Sequence, residues 1–378
     1  MTRMLSLGMI GCTLVLVLVF GSRFGSDYSC FYFAGKILNS TPERLYDLRL
    51  QEQWYDSLVP DAVPGTFCTY PYAPFLALLY QPLAVLPYAW SYFLWLVIGL
   101  VLYATSFWLL SGRVQDRFTL LLAAISFTPF LIEGWLGGQT TGLVVFIVAT
   151  AMRLQPRYPL LAGTVLAALA FKPTLLGLIV PMLLVTGCFR VLVGLALGGV
   201  GAIAASWWAV GWSGCLGWLH SLHTYTVAKA TPGVLRSFKY VDLQSTLPTW
   251  AAVLVGVVLL VLLFRFWRRA DQRKAWALAL IFTPVLNVHC AIYDVSLVVP
   301  ALLLLGINAV QPWATLIYIM AWFTQPVALA TGFQPITFLL ILFGVHQCVT
   351  SSCSSPWRSA WAWPTSFAAS IRRQLSGR

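Results

Sequence analysis

Residues 88–110 read YAWSYFLWLVIGLVLYATSFWLL, and this stretch decides the class of the fold. It contains no Asp, Glu, Lys or Arg, and a helix of about 20 apolar residues is long enough to cross the hydrocarbon core of a bilayer. Hydrophobic residues make up 60% of the whole chain and charged residues only 9%. This composition is typical of a polytopic integral membrane protein. We therefore predict an all-α bundle of transmembrane helices.

Further apolar runs lie on both sides of this stretch, and together they give about twelve candidate spans. Several runs are shorter than a straight span requires, so some spans must be broken or their ends must lie elsewhere. The runs are 4–20, 88–110, 120–133, 141–154, 158–171, 174–187, 191–212, 247–266, 275–288, 293–306, 313–330 and 333–349.

The basic residues indicate which loops face the cytoplasm, because cytoplasmic loops are enriched in Lys and Arg. If residues 72–86 form a re-entrant or interfacial segment, every basic cluster falls on one side. This assigns residues 1–350 to one transmembrane domain with outer loops at 21–87 and 213–246, followed by a cytoplasmic interfacial or disordered tail at 351–378. The clusters contain Arg3, Arg113, Arg117, Arg153, Arg157, Arg190, Arg265, Arg268, Arg269, Arg273, Lys274, Arg358, Arg372, Arg373 and Arg378.

These cations are interpreted as topology signals, so no nucleic-acid partner is expected. The first outer loop instead carries six of the eleven acidic residues: Asp27, Glu43, Asp47, Glu52, Asp56 and Asp61. The expected location is the cell membrane, with the outer loops facing the periplasm or the exterior. Two cysteines of the first loop, Cys30 and Cys68, could pair if that loop is extracytoplasmic. The sequence leaves this pairing open.

Asp27 is the first acidic residue of the chain, and it lies next to a predicted membrane boundary. An ionised group in this position is a functional candidate, although Asp is also a favoured N-cap residue. In a helix that starts here, Tyr28 and Tyr32 share one face. Both interpretations of Asp27, catalytic group and simple cap, are open at this point.

The other polar residues at predicted outer helix ends could form a site with Asp27. Lys172-Pro173 combines a cation with a helix break, which suits a phosphate, although a lysine at a helix end also snorkels to the interface. Gly137-Gly138-Gln139 is a tight turn that opens a helix at Thr140 or Thr141. The remaining candidates are Glu133, His220, His223, Lys229, Arg236, Lys239, Asp242, Asn287, His289 and Asp294.

Several nucleotide and metal motifs are missing from the sequence. It contains no P-loop, no G-x-G-x-x-G, no D-x-D and no H-E-x-x-H. The first two absences exclude nucleotide-driven transport by this chain. The third argues against metal-dependent transfer from a nucleotide sugar, so we expect neither a metal site nor a cofactor.

Short motifs follow one another along the chain in a specific order and spacing. They are Asp27-Tyr28, Phe31-Tyr32 with Ala34, Leu45-Tyr46-Asp47, Tyr70-Pro71-Tyr72-Ala73-Pro74, Pro82 to Trp95, Gly138-Gln139, Lys172-Pro173, Asn287-Val-His289, Tyr293-Asp294 and Pro300. In this order and spacing the chain resembles glycosyltransferase family 87 from Ser26 to about Leu303. Two departures concern substrate identity: Tyr72 and Ala73 split the expected tyrosine–double-proline motif, and Thr140 follows Gln139 where Asn is common.

The resemblance implies a GT-C fold and a transferase that moves mannose or a related sugar from a polyprenyl-phosphate donor to a lipid or glycan acceptor. It makes Asp27 the matching position for the catalytic base. For the donor phosphate we expect Lys172, His289, Arg236 and Lys239. For the sugar or acceptor we expect Tyr28, Tyr32, Gln139, Tyr293 and Asp294, and Trp135 is a further aromatic candidate.

Two other functions use the same kind of substrate and stay open at this point. One is a transporter or flippase of lipid-linked sugars, although the sequence lacks the internal repeats common in transporters. The other is a ligase or polymerase of surface polysaccharides.

Overall fold

The computed structural model describes residues 2–20, 27–58, 68–111, 116–229, 240–307 and 311–352. Within these ranges the regular structure is helical, apart from an isolated antiparallel bridge between Tyr240 and Ala291. The predicted all-α class is confirmed.

The helices are labelled here in chain order. Short 3₁₀ turns cover Pro42–Arg44, Leu83–Val85, Ala168–Phe171, Pro173–Leu175 and Ile292–Leu297, and a π-helix covers Pro129–Leu136. The α-helices are α1 (Thr2–Phe20), α2 (Tyr28–Ser40), α3 (Leu48–Leu58), α4 (Pro74–Tyr80), α5 (Tyr88–Leu110), α6 (Arg117–Ile125), α7 (Thr141–Leu154), α8 (Pro159–Ala167), α9 (Leu176–Val185), α10 (Phe189–Lys229), α11 (Leu243–Thr246), α12 (Thr249–Trp267), α13 (Gln272–Leu286), α14 (Val298–Leu304), α15 (Pro312–Thr331) and α16 (Pro335–Ser352).

Each predicted apolar run coincides with helical residues, but few of the helices are long. In the described ranges, α5, α10, α12 and α15 are long and apolar enough to cross a membrane. Helix α6 and the π-helix would make a fifth span if they are counted together, although they are bent by 70°. The chain is thus a multi-pass membrane protein by the length and composition of these helices. The number of about twelve spans stays a prediction.

Two segments differ from the helices expected from sequence. The sequence of residues 42–54 favours an amphipathic helix in the first outer loop, but the structure has a 3₁₀ turn at Pro42–Arg44 and α3 starts only at Leu48. The Asp47 carboxylate accepts the backbone N–H groups of Arg49 (3.0 Å) and Leu50 (3.3 Å), which caps the later start. The predicted apolar run ends at residue 212, next to a break at Gly211 (φ +68°), and a further helical stretch, counted here as part of α10, continues from the break to Lys229.

The segment predicted not to cross the membrane, 72–86, holds only α4 and a 3₁₀ turn. Neither is among the helices long enough to span a bilayer. Its placement at the outer face stays a prediction.

Helices α8 and α10 pack closely because glycines line their crossing. A Cβ built on Gly163 would lie 1.9 Å from the carbonyl oxygen of Val191. A Cβ on Gly194 would lie 1.9 Å from the carbonyl oxygen of Leu160, and Gly198 one turn later is also tight. Small residues at such crossings let two backbones approach in apolar surroundings. The glycines therefore set the distance between these helices.

Two contacts connect loop ends that the sequence predicts to lie on the same side of the membrane. Arg3, at the start of α1, forms an ion pair with Asp116 just before α6, at 2.7 Å. At a second junction the Cys188 thiol accepts the side-chain amides of Gln155 (3.2 Å) and Gln272 (3.1 Å). These contacts join loop ends that carry basic clusters, as the topology prediction requires.

Candidate active site

Asp27 immediately precedes α2, yet its side chain does not cap that helix in the described structure. Its Oδ2 atom instead accepts a hydrogen bond from Nε2 of Gln139, at 2.9 Å. Gln139 lies 112 residues later and is buried. The carboxylate is therefore oriented by a tertiary contact, which removes the main support for the simple-cap interpretation.

The turn that carries Gln139 is held in place by α5. Trp95 donates its indole N–H to the carbonyl of Gly138 at 3.0 Å, and the Tyr92 hydroxyl donates to the carbonyl of Leu136. Gly138 has φ +78°, and a Cβ there would lie 2.6 Å from the Cβ of Tyr28. Only glycine fits both the left-handed backbone and this close approach. The turn and the start of α2 are thus fastened to each other beside Asp27.

Tyr28 and Tyr32 fix the position of α2. Tyr28 is fully buried, and its hydroxyl lies 2.6 Å from the Ser91 hydroxyl. Tyr32 donates its hydroxyl to the carbonyl of Leu86 at 2.8 Å. The Tyr28 ring contacts the rings of Tyr32, Tyr80, Tyr88, Tyr92 and Trp95. This burial leaves no ring face of Tyr28 open to a sugar in this structure, contrary to the expected stacking role.

Tyr72 joins the two parts of the site. The sequence connected this position with substrate identity but did not give it a role among the site residues. Its hydroxyl points to Oε1 of Gln139 at 3.5 Å, the long limit of a hydrogen bond, and it also hydrogen-bonds Tyr293. Burial raises the pKa of the Tyr72 phenol well above its ordinary value, so the hydroxyl keeps its proton. The sequence signal was the motif around Pro71, which marked the segment but not the contact.

Lys172 lies at the break between two 3₁₀ turns, as Pro173 predicted. Its ammonium contacts both carboxylate oxygens of Asp294, at 2.7 and 2.6 Å, and lies 4.7 Å from the centre of the Tyr293 ring. The side chains are 12% and 5% exposed. Oδ2 of Asp294 also accepts the backbone N–H of Ala291 at 2.9 Å. Lys172, Tyr293 and Asp294 therefore form one cluster, in which Asp294 is buried and the other two are partly buried.

The other candidates lie around this unit or outside the described chain. His289 adopts a left-handed backbone with φ 61°, and its ring contacts Tyr240. Trp135 donates its indole N–H to the carbonyl of Leu96 at 2.7 Å, and Glu133 accepts the Gln325 amide at 2.8 Å. Arg236 and Lys239 lie outside the described residues.

The described contacts run from Asp27 through Gln139 and Tyr72 to Tyr293, and on to the pair of Lys172 and Asp294. A carboxylate at one end can accept a proton, and a cation at the other end can bind an anion. The polar groups between them are suited to bind hydroxyl groups.

Comparison with known proteins agrees with this chemistry. The chain matches the family model described as glycosyltransferase family 87 over residues 70–290, more than half of its length. The matched region includes Tyr72, Gln139, Lys172 and His289, while Asp27 lies before it. Neither the curated proteins nor the solved structures give a match. The chain belongs to glycosyltransferase family 87, and it is a membrane glycosyltransferase.

Proposed function

We propose that the enzyme transfers a hexose, mannose by the family resemblance, from a polyprenyl-phosphate donor to a lipid or glycan acceptor at the outer face of the cell membrane. The observation that carries this proposal is the orientation of the Asp27 carboxylate. It accepts a hydrogen bond from the Gln139 side-chain amide at 2.9 Å and does not cap the following helix. An oriented carboxylate connected to a buried cation supplies the two charges that such a transfer uses.

In the proposed reaction Asp27 acts as the general base. It takes the proton of an acceptor hydroxyl while that oxygen attacks the anomeric carbon of the donor. The bond from this carbon to the phosphate oxygen breaks, and the phosphate leaves with the electron pair. The configuration of the anomeric carbon inverts in this displacement. Because Gln139 donates to Oδ2, we assign the accepted proton to Oδ1.

Lys172 is proposed to stabilise the leaving phosphate. Its ammonium group has three N–H donors, and the two oxygens of Asp294 accept from it. A third donor can reach a phosphate oxygen without breaking the pair. A phosphate is already a good leaving group, so charge stabilisation replaces a general acid. His289, Arg236 and Lys239 are proposed as further phosphate contacts.

The sugar and the acceptor are proposed to lie between these two charges. The proposed polar contacts of the sugar and the acceptor are Gln139, Tyr293 and Asp294, and Trp135 is the proposed aromatic contact. For Tyr28 and Tyr32, burial favours a positioning role, because they hold the helix that follows Asp27. The apolar helices would hold the polyprenyl chain, which aligns the donor with the acceptor.

The direct test uses the purified full chain in liposomes with labelled polyprenyl-phosphate mannose and candidate lipid acceptors. Label that appears in a new glycolipid supports the proposal. Label that only changes leaflet supports the flippase alternative, and label that enters a growing polysaccharide supports a polymerase. Transfer from a nucleotide sugar, with none from the polyprenyl donor, would refute the proposed donor.

A further inference from the structure

Two cysteines meet beside the proposed base. Cys30 lies on α2, one turn after Asp27, and is buried. Cys68 lies where the described chain resumes, just before Tyr70. The Cys30 thiol donates a hydrogen bond to the Asp27 carbonyl at 3.1 Å and has the Cys68 thiol as a close neighbour, and both are free thiols here.

Ring contacts show independently that the segment after Cys68 runs along the first turns of α2. The Phe31 ring contacts Tyr70, with ring centres 6.3 Å apart, and Tyr72, with centres 5.1 Å apart. Both cysteines are close enough to Tyr72 to influence its phenol electrostatically. The contact between the thiols is therefore part of a packed interface.

We propose that Cys30 and Cys68 are oxidised to a disulfide bond in the mature protein. Each thiol gives up its hydrogen as a proton, and a sulfur–sulfur bond forms between them. The two electrons pass to a disulfide-bonded oxidant, a thiol–disulfide exchange protein of the extracytoplasmic compartment, which is reduced to its dithiol form. This proposal uses the predicted outer location of residues 21–87.

The bond would fasten two parts of the proposed site. Cys30 follows Asp27 on α2, and Cys68 precedes Tyr72, which reaches Gln139 and Tyr293. A covalent link between the two segments would hold the base and the bridging phenol in a fixed relative position. Because burial raises the pKa of the Cys30 thiol, we expect the bond to form during folding and to resist exchange afterwards.

The test is peptide mass spectrometry on the full chain, isolated from membranes without reductant. The protein is denatured in the presence of an alkylating reagent, so that even buried thiols are capped. We expect the Cys30 and Cys68 peptides as one linked species, two hydrogen atoms lighter than the sum of the free peptides and separated by reductant. Alkylated Cys12, which is exposed, verifies the capping. Full alkylation of both Cys30 and Cys68 overturns the proposal.

Thermal unfolding of variants gives a second, independent readout. We expect Cys30→Ser, Cys68→Ser and the double variant to share the same loss in Tm, roughly 5 °C or more, because each removes the same bond. Reductant should lower the Tm of the parent protein and leave that of the double variant unchanged. Cys348→Ser, which removes another buried thiol, serves as the control and should retain the sensitivity to reductant. Additive losses from the two single variants would contradict a shared bond. None of these readouts depends on the transfer reaction, so the proposed function can fail separately.

Discussion

At the scale of single residues, the site depends on how two charged side chains are held. Asp27 is bound by an amide from a distant turn, while Lys172 is bound by a carboxylate from an even more distant segment. The first arrangement keeps a carboxylate reactive, since a neutral amide orients it without neutralising its charge. The second keeps a cation compatible with burial.

Asp27→Asn should lower the transfer rate roughly 10²- to 10⁴-fold, the range typical of lost general-base catalysis. The amide is the same size as the carboxylate but accepts the proton poorly. The measurement is initial rate with both substrates saturating, on protein whose amount and Tm match the parent.

Asp56→Asn is the matched control, because it removes an exposed carboxylate of the same predicted outer region. We expect parental activity from this variant. Full activity of Asp27→Asn, or an equal loss in both variants, would remove Asp27 from the role of base.

Lys172→Met and Asp294→Asn separate the structural role of the buried pair from its role at the phosphate. Breaking a buried pair costs roughly 3–5 kcal/mol, so either single change should lower Tm. Lys172→Met should also weaken donor use by about one to two orders of magnitude, because a charge-assisted hydrogen bond contributes roughly 1.5–3 kcal/mol. Asp294→Asn should weaken donor use less, because asparagine keeps a hydrogen-bonding side chain and Lys172 keeps its charge. The measurements are donor titration at saturating acceptor and acceptor titration at saturating donor.

The double variant Lys172→Met with Asp294→Asn completes this comparison. It leaves no uncompensated charge, so it should recover part of the lost Tm while donor use stays weak. If donor use recovers together with Tm, Lys172 acts only through the stability of the fold. A defect confined to the acceptor titration would also remove Lys172 from the phosphate.

Sequence reasoning could find residues whose chemistry is unusual for an apolar chain. Asp27, Lys172-Pro173 and Gly138-Gln139 stand out in this way, and the structure brings these three positions into one set of contacts. Sequence reasoning could not find that Lys172 contacts Asp294, because 122 residues separate them. The sequence also could not predict the burial of Tyr28, because helical spacing shows which residues share a face but not what covers that face.

At the scale of elements, the apolar runs predicted the helices well and their exact ends poorly. Residues 88–110 and 141–154 are helical as predicted. The start of α3 is fixed by the local cap at Asp47, and a helical stretch continues from the break at Gly211 to Lys229, beyond the apolar run that ends at residue 212. Helices of a membrane protein can extend beyond the bilayer, so hydropathy does not mark their ends.

Gly194→Ala should destabilise the crossing of α8 and α10. The added Cβ would lie 1.9 Å from the Leu160 carbonyl oxygen, so the two backbones must move apart, and overpacking of this kind costs roughly 1–3 kcal/mol. The measurement is Tm in detergent.

Gly201→Ala provides a control on the same helix, because nothing lies within 4 Å of its added Cβ. Its Tm should equal or slightly exceed that of the parent, since alanine favours a helix. Equal Tm values for the two variants would mean that the glycine contact does not set the helix spacing.

At the scale of the whole molecule, the prediction concerns sidedness. Residues 265–274 should be cytoplasmic and residues 213–246 outside, because the positive-inside pattern puts them on opposite sides. Paired reporter fusions, one active only in the cytoplasm and one only outside, should give opposite signals at the two positions. Fusions that report the same side for both would refute the predicted topology and with it the outer location of the site.

The predicted sidedness of the loops is compatible with two contacts of the fold. The pair of Arg3 and Asp116 and the junction at Cys188 connect loop ends that the sequence assigned to one side. The number of spans could not be predicted in the same way, because several apolar helices are too short to decide the question by length.

The pair of Lys172 and Asp294 also has a consequence for biosynthesis. The lysine leaves the ribosome 122 residues before its partner, which corresponds to on the order of ten seconds of synthesis. During that interval Lys172 lacks its acidic partner, and an unpaired cation inside an apolar helix bundle is costly. A chain stopped between Lys172 and Asp294 would keep the cation but lack the acid. Quality control of membrane insertion could therefore distinguish a finished chain from an aborted one by this single pair.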